Sequence, residues 1–386
     1  MSREVFISGF GCACPVGLGV SAVSTSLRNG RDGIRPVDLF SVEGCRASTA
    51  GQLPSDLSEQ AAAIHAPSSR WSRAAQVFLI SAAEALAQRK GFDPDLVIVG
   101  TTSGAMDLGE AFYRGVVTNE GLTQAARKLR GYPPQMPVLQ ALGALKIRAP
   151  VRVISNACAS GTNALGAARE EVRSGRAKCV LAGGYDTLSQ LVFAGFDCLQ
   201  AMTPEKCRPF DSSRSGLVLG EGAAVFCIEA EGSIHLAGYG SATDTHHLTQ
   251  PHPSGSGPEL AMRRALSSAG VAPEQVDHVN AHGTATPQND ACEARALAKV
   301  CPLAPITSTK AITGHTLGAA GAIEAAFSLI SLKEQFFPPT RNFESPDAGV
   351  TLDIVSGASR AASFKNVLSN SFGFGGANAS VLLSLP

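Results

Sequence analysis

Aromatic residues make up only 6% of the 386 positions and charged residues 17%, and 32 basic side chains are balanced by 32 acidic ones. A chain without net charge is not a general polyanion binder, so no nucleic-acid partner is expected, though a local basic patch is compatible with that balance. Scarcity of charge does not imply disorder here, because 44% apolar residues suffice to bury a core. No CxxC spacing recurs among the ten cysteines, which argues against a zinc framework and for reduced, mostly buried thiols; no metal is expected. A long uninterrupted apolar run is also missing. Ile312 to Leu332 comes nearest, but His315, Glu324 and many Gly and Ala residues suit a closely packed internal helix better than a membrane span. The start, Met1 to Gly9, lacks the basic stretch and long apolar segment of a secretory signal, so a cytoplasmic location is expected.

What the chain does have is glycine, 40 residues with no three-residue period, which excludes a collagen-like repeat. Short apolar, β-branched runs end at Gly or small residues and hand over to helical patterns: Val5–Gly9, Leu96–Gly100, Val151–Ser155, Val180–Gly184, Ala223–Glu229, His235–Gly238, His278–Ala281 and Val367–Ser371. Strands alternating with helices predict an α/β protein with buried sheets. Val153–Ser174 and Ile306–Lys333 share one plan, strand, small-residue turn and Ala-rich helix, which suggests a duplicated unit with a seam in the polar stretch Glu229–Ile234. The expected halves are residues 1–231 and 232–386. Arg127, Lys128 and Arg130 form a small basic cluster before Pro133-Pro134 that reads, by itself, as a solvated face.

Four segments carry chemistry. In Ile154-Ser-Asn-Ala-Cys158-Ala-Ser-Gly a cysteine stands where a strand ends and a helix begins, and the helix terminus favours a thiolate nucleophile. In Val279-Asn-Ala-His282-Gly-Thr284-Ala-Thr286 an imidazole is aimed out of a strand end, followed by two hydroxyls that could line a channel. Ser308-Thr-Lys310-Ala-Ile-Thr-Gly-His315 offers a Lys and a His five apart at another strand-to-helix junction. Ser369-Asn-Ser-Phe372-Gly-Phe374-Gly-Gly places glycines around an aromatic, which suits exposed backbone N–H donors and a side chain able to swing. Each alone also has a purely structural reading.

In this order and at these separations, Cys158, His282, Lys310, His315 and the Phe374 loop resemble the active-site set of the β-ketoacyl-acyl-carrier-protein synthases, elongating condensing enzymes of the thiolase superfamily. Arg208-Pro-Phe-Asp211, Leu219-Gly-Glu-Gly222 and Asn289-Asp290 with Glu293 extend the likeness over nearly the whole chain. The resemblance implies a thiolase-like five-layered αβαβα fold of two duplicated halves. It implies transfer of an acyl chain to Cys158, an oxyanion hole from the N–H groups of Cys158 and Phe374, and decarboxylation of malonyl-carrier beside His282 and His315. Lys310 is implied to orient the histidines and to pair with Glu293. Thr284, Thr286 and the loop holding Thr249 match positions along a phosphopantetheine arm. No enzyme-bound cofactor is implied; the substrates ride on phosphopantetheine of an acidic acyl carrier protein, for which Arg127, Lys128 and Arg130 become a candidate dock. The implied assembly is a homodimer, or a heterodimer with a related ketosynthase or chain-length partner.

Some positions depart from the usual pattern. Tyr185-Asp186 follows Gly184 where Ala-Glu is common, Ser213-Arg-Ser215-Gly216 replaces Arg-Asp-Gly, and Ala159-Ser160 rather than Ala-Thr follows Cys158. None removes a reacting group, and together they suggest a branch serving a polyketide, aryl polyene or similar product. A thiolase would need a second cysteine in the Ser369–Asn378 loop, an acetyl-CoA-primed synthase Asn at position 315, and a non-catalytic chain-length subunit would lack Cys158.

Overall fold

The computed structural model describes residues 3–66, 71–347 and 350–386. Its centre is a set of ten strands: β1 (Phe6–Cys14), β2 (Leu96–Gly100), β3 (Val151–Ile154), β4 (Cys179–Asp186), β5 (Gly222–Glu229), β6 (Ile234–Thr243), β7 (His278–Asn280), β8 (Ile306–Thr307), β9 (Asn366–Gly373) and β10 (Ala377–Ser384). They are hydrogen-bonded in the order β8-β7-β9-β10-β6-β1-β5-β4-β2-β3. The two sides of the β6–β1 junction repeat one design. β2 pairs parallel with β3 and β4, while β4–β5 and β5–β1 are antiparallel. Likewise β7 pairs parallel with β8 and β9, while β9–β10 and β10–β6 are antiparallel. The halves meet through a short antiparallel contact, Phe6 opposite His235 and Ile7 opposite Ile234.

Helices complete five layers: α1 (Arg73–Gln88), α2 (Met106–Thr118), α3 (Leu122–Lys128), α4 (Met136–Ala144), α5 (Ser160–Arg173), α6 (Gln190–Cys198), α7 (Ser256–Ala269), α8 (Pro287–Val300) and α9 (Ala320–Glu334). α1 covers β1 and β5 on one outer face, and α7 covers β6 and β10 on the other. Between the half-sheets lie α5 and α9, each touching strands of both halves. A helix walled in on all sides buries its whole circumference, and every residue of α9 from Ala320 to Leu332 is buried, most of them apolar, with Glu324 the one charged group among them. The expectation of a packed internal helix there holds, and no helix among the described residues is long and apolar enough to cross a membrane. Close approach of α5 and α9 depends on Gly161 and Gly321, where an added Cβ would collide with Ala322 and Thr162 respectively.

The duplicated topology determines where chemistry can gather. The turn after β3 carries Cys158, and the turn after β8, its counterpart, carries Lys310 and His315. His282 follows β7, and Phe374 sits at the tip of the β9–β10 hairpin. Four chain segments far apart in sequence thus end on one side of the sheet.

Candidate active site

The strand-to-helix turn at Cys158 is tightly wound. Ala157 adopts φ +45°, a left-handed conformation uncommon for a residue with a Cβ, and Ser160 Oγ closes the turn by accepting from Asn156 N at 2.8 Å and donating to Ala157 O at 2.6 Å. Gly373 lies against the Cys158 amide, at a place where a Cβ would crowd it. Cys158 is 8% exposed at the floor of a cavity of about 330 Å³.

His315 Nε2 lies 3.0 Å from Cys158 Sγ, and Leu317 N donates to His315 Nδ1 at 3.2 Å. Because Nδ1 is occupied as an acceptor, the ring proton of a neutral His315 resides on Nε2 and points at the sulfur. His315 therefore faces the sulfur as a donor, not as the acceptor of the thiol proton. The His282 ring stands at 86° to that of His315 with centroids 5.3 Å apart, and one ring nitrogen of each lies with Cys158 Sγ inside a 4.8 Å cluster. Burial first, and then the charge of Lys310, pull both histidines well below the usual imidazole range, with His315 adding to the effect on His282. Both rings are thus neutral hydrogen-bonding groups at physiological pH.

The sulfur behaves differently from the expectation. Burial pushes the Cys158 thiol up to about 11, against the opposing pulls of Lys310 and of the N–H groups of Phe374 and Cys158. The resting residue is a thiol, because removal from water outweighs the helix terminus. Those same two N–H groups lie close to the sulfur, where an oxygen on an attached acyl carbon would be received.

Lys310 also departs from the implied pairing. Its Nζ donates to Glu324 on α9 in an ion pair with side-chain exposures of 1% and 4%. Glu293, on α8, instead accepts from His282 N at 2.9 Å, Gly283 N at 2.8 Å and Asn370 Nδ2 at 3.3 Å, fixing the turn that holds His282. The reason is geometric: Glu293 faces the end of β7, whereas Glu324 projects from the central helix beneath Lys310. Burial pushes Glu293 up to about 7. Since the folded value lies above the unfolded one, this group's stabilising contribution is complete at low pH and is lost as pH rises from about 4.3 through 7. In E293Q the fall in unfolding free energy between pH 5 and 8 will be smaller than in the parent by about 2–3 kcal/mol; chemical denaturation at several pH values checks this, and parallel pH profiles would contradict it.

Asp186 was not singled out by chemistry in the sequence. At the end of the buried strand β4 it accepts from Thr101 Oγ1 (2.7 Å), the amides of Thr102, Ser103 and Gly104 (2.9, 2.9 and 3.0 Å) and Gly318 N (2.6 Å). It ties the loop after β2 to the segment carrying His315. In the sequence it stands out only as an acid closing an otherwise apolar strand, at a place where Ala-Glu is common.

Thr249, Thr284 and Thr286 line the same cavity as Cys158, His282, His315 and Phe374. Thr284 and Thr286 hydroxyls share a 2.9 Å hydrogen bond. Phe374 stacks on Phe196, centroids 5.6 Å apart at 14°, and Gly375 N donates to Leu248 O at 2.7 Å. Gly375 and Gly376 have φ 75° and 76°, so the hairpin tip requires residues without a Cβ. Lys310 and Glu293 lie behind the wall. Arg127, Lys128 and Arg130 are not in it: they sit on α3 and the following turn, Arg127 and Arg130 exposed and Lys128 half-buried.

Residues 2–232 match the family model of the beta-ketoacyl synthase N-terminal domain, and residues 234–344 that of the C-terminal domain. The chain belongs to the beta-ketoacyl synthase family. Members of this family are acyltransferases. Among curated beta-ketoacyl synthases, the 3-oxoacyl-[acyl-carrier-protein] synthase 2 of Coxiella burnetii is 33% identical, covering 99% of this chain and 98% of its own. Nodulation protein E of Rhizobium sp. (strain N33) is 32% identical with 98% of both chains covered. The solved structure of the ishigamide ketosynthase/chain length factor superposes with TM-score 0.92 at 29% identity over 100% of both chains. A ketosynthase in complex with its chain length factor from Xenorhabdus doucetiae gives 0.84 at 27% identity over 100% of this chain and 98% of that one. The fold of this synthase is accordingly the thiolase-like αβαβα arrangement implied by the sequence.

Proposed function

We propose that this chain is a 3-oxoacyl-[acyl-carrier-protein] synthase that carries out decarboxylative Claisen condensation, with Cys158 as the nucleophile. The single observation that carries the assignment of roles is the convergence of Cys158 Sγ, two neutral imidazoles and two backbone N–H donors in one cavity. The Cys158 sulfur adds to the carbonyl of an acyl-carrier thioester, the Phe374 and Cys158 N–H groups hold the oxyanion, and the carrier thiol leaves with the proton. Malonyl-carrier then loses carbon dioxide, and the electron pair of the broken C–C bond forms an enolate whose oxygen accepts from His282 and His315. The enolate carbon attacks acyl-Cys158, the C–S bond breaks, a 3-oxoacyl thioester two carbons longer departs, and the expelled Cys158 thiolate takes a proton from solvent to regain its resting thiol. Neutral imidazoles suit this work: they donate without holding an ion pair that would bind the carboxylate too well to release it. Lys310 acts behind them by keeping them neutral.

Thr249, Thr284 and Thr286 are the proposed contacts of the phosphopantetheine arm. Arg127, Lys128 and Arg130 are a proposed docking patch for an acidic carrier, and the protein needs no cofactor of its own. The halves divide at residues 231/232, and the proposed compartment is the cytoplasm. A second reading, a ketosynthase subunit of a specialised polyketide or aryl polyene pathway beside a non-catalytic chain-length partner, is favoured by the two ketosynthase/chain length factor structures among its neighbours. The half-exposed edge strand β3 and the apolar groove of Met106, Phe112, Tyr113, Leu129, Tyr132 and Leu191 offer a surface for such a partner or for a second copy.

The test separates the half-reactions. H282A and H315A will each slow malonyl-carrier decarboxylation by about 10²–10³-fold, the effect of losing one preorganised donor, and will slow acylation of Cys158 less. Undiminished carbon dioxide release in either variant would contradict the shared role.

A further inference from the structure

Asp197, in the last turn of α6, accepts from two consecutive amides of the loop 41–48, Arg46 N at 2.9 Å and Ala47 N at 3.1 Å. Cys45 adjoins the first of these contacts and Cys198 adjoins Asp197 itself, so the Asp197 carboxylate ties the two segments together one residue away from each thiol. Both thiols are free; Cys45 is half-buried and Cys198 exposed. Cys45 packs into the apolar cluster that holds Phe196, and burial first, then the nearby Asp197 and Cys198, push its thiol up, which places Cys198 beside it. The same helix end shapes the catalytic cavity. Phe196 stacks on Phe374, and Leu199, Gln200 and Ala201 form the adjoining wall.

We propose that Cys45 and Cys198 are a redox-modification site, closing into a disulfide on exposure to a peroxide and clamping the α6 wall of the cavity. The exposed Cys198 sulfur attacks a peroxide oxygen, the O–O bond breaks, and water leaves a sulfenic acid. The Cys45 sulfur then displaces the second water, forming the S–S bond, so that two thiols are oxidised and one peroxide is reduced to two waters. Cys158 is less exposed than Cys198 and its sulfur is protonated, which places the more accessible thiol beside the site rather than in it. Closing the bond requires the two Cα atoms to come within about 7 Å, which the Asp197 anchor favours. With Phe196 held, the Phe374 ring loses room to swing.

The consequence for turnover rests on the proposed condensing activity; the cross-link does not. Full-length protein is treated with stoichiometric hydrogen peroxide, alkylated and mapped by peptide mass. A linked 45–198 peptide is expected, together with a fall of about tenfold in Cys158 acylation that a dithiol reductant reverses. C198S and C45S will give no linked peptide and no reversible loss. Recovery of Cys45 and Cys198 as separately alkylated peptides after oxidation would overturn the site. A linked protein acylated as fast as the reduced one would overturn the clamp.

Discussion

Replacing Cys158 by alanine will lower condensation by about 10⁴–10⁶-fold, the range seen when a covalent nucleophile is removed, while the fold survives. The side chain fills little space, and its loss leaves the Asp186 anchor, the Glu293 turn and the Lys310–Glu324 pair untouched. Because the enolate donors His282 and His315 stand on the other half of the molecule, malonyl-carrier decarboxylation should persist in the variant. Carbon dioxide release without chain extension is thus the signature to look for. Condensation within tenfold of the parent would remove Cys158 from the mechanism.

The second large effect concerns a residue that lies behind the cavity wall. Lys310→Met removes the one positive charge among the described residues that pulls on His282, His315 and Cys158 together. Both imidazoles will then titrate at higher pH and the thiol will rise further, so the acid limb of the decarboxylation profile moves upward. The variant also leaves Glu324 buried without its partner, a change that costs about 3–5 kcal/mol. The double variant K310M/E324M separates these consequences. It should recover most of the stability, since no buried charge remains, yet keep the displaced pH profile, since the histidines still lack the cation. A profile that returned with stability would show that Lys310 acts only by holding the fold. Activity against pH and denaturant unfolding of both variants supply the two readouts.

The parts of this site that could be read in the sequence are those where residue type and local pattern say the same thing. Cys158 and His282 each follow a β-branched run and stand in a small-residue turn, so strand end and chemistry coincide, and His315 follows β8 after the single helical turn Lys310–Thr313. The strands β2, β4 and β5 were legible for the same reason. β10 is not legible in this way, because Ala377-Asn-Ala-Ser-Val-Leu-Leu-Ser384 begins with small residues of mixed polarity that become buried only through pairing with β9 and β6. The partner of Lys310 is Glu324 rather than Glu293, and spacing from His282 says nothing about which helix lies beneath it. Glu293 and Glu324 are both buried acids on helices, and only the packing of α9 into the central layer distinguishes them. The state of the Cys158 sulfur was misjudged for a related reason: the strand-to-helix junction is visible in the sequence, whereas the depth of its burial depends on the hairpin tip and on the turn after β8. Asp186 escaped because its hydrogen bonds reach across the chain to residues 101–104 and 318.

The central claim is that an acyl chain is held on Cys158 before condensation. Peptide-mapped mass spectrometry of the protein after incubation with an acyl-carrier substrate alone, without malonyl-carrier, tests it most directly. The account predicts one acyl group per chain, confined to the peptide containing Cys158, absent from C158A and discharged when malonyl-carrier is added. An acyl group on any other cysteine, or one that persists in C158A, would contradict it.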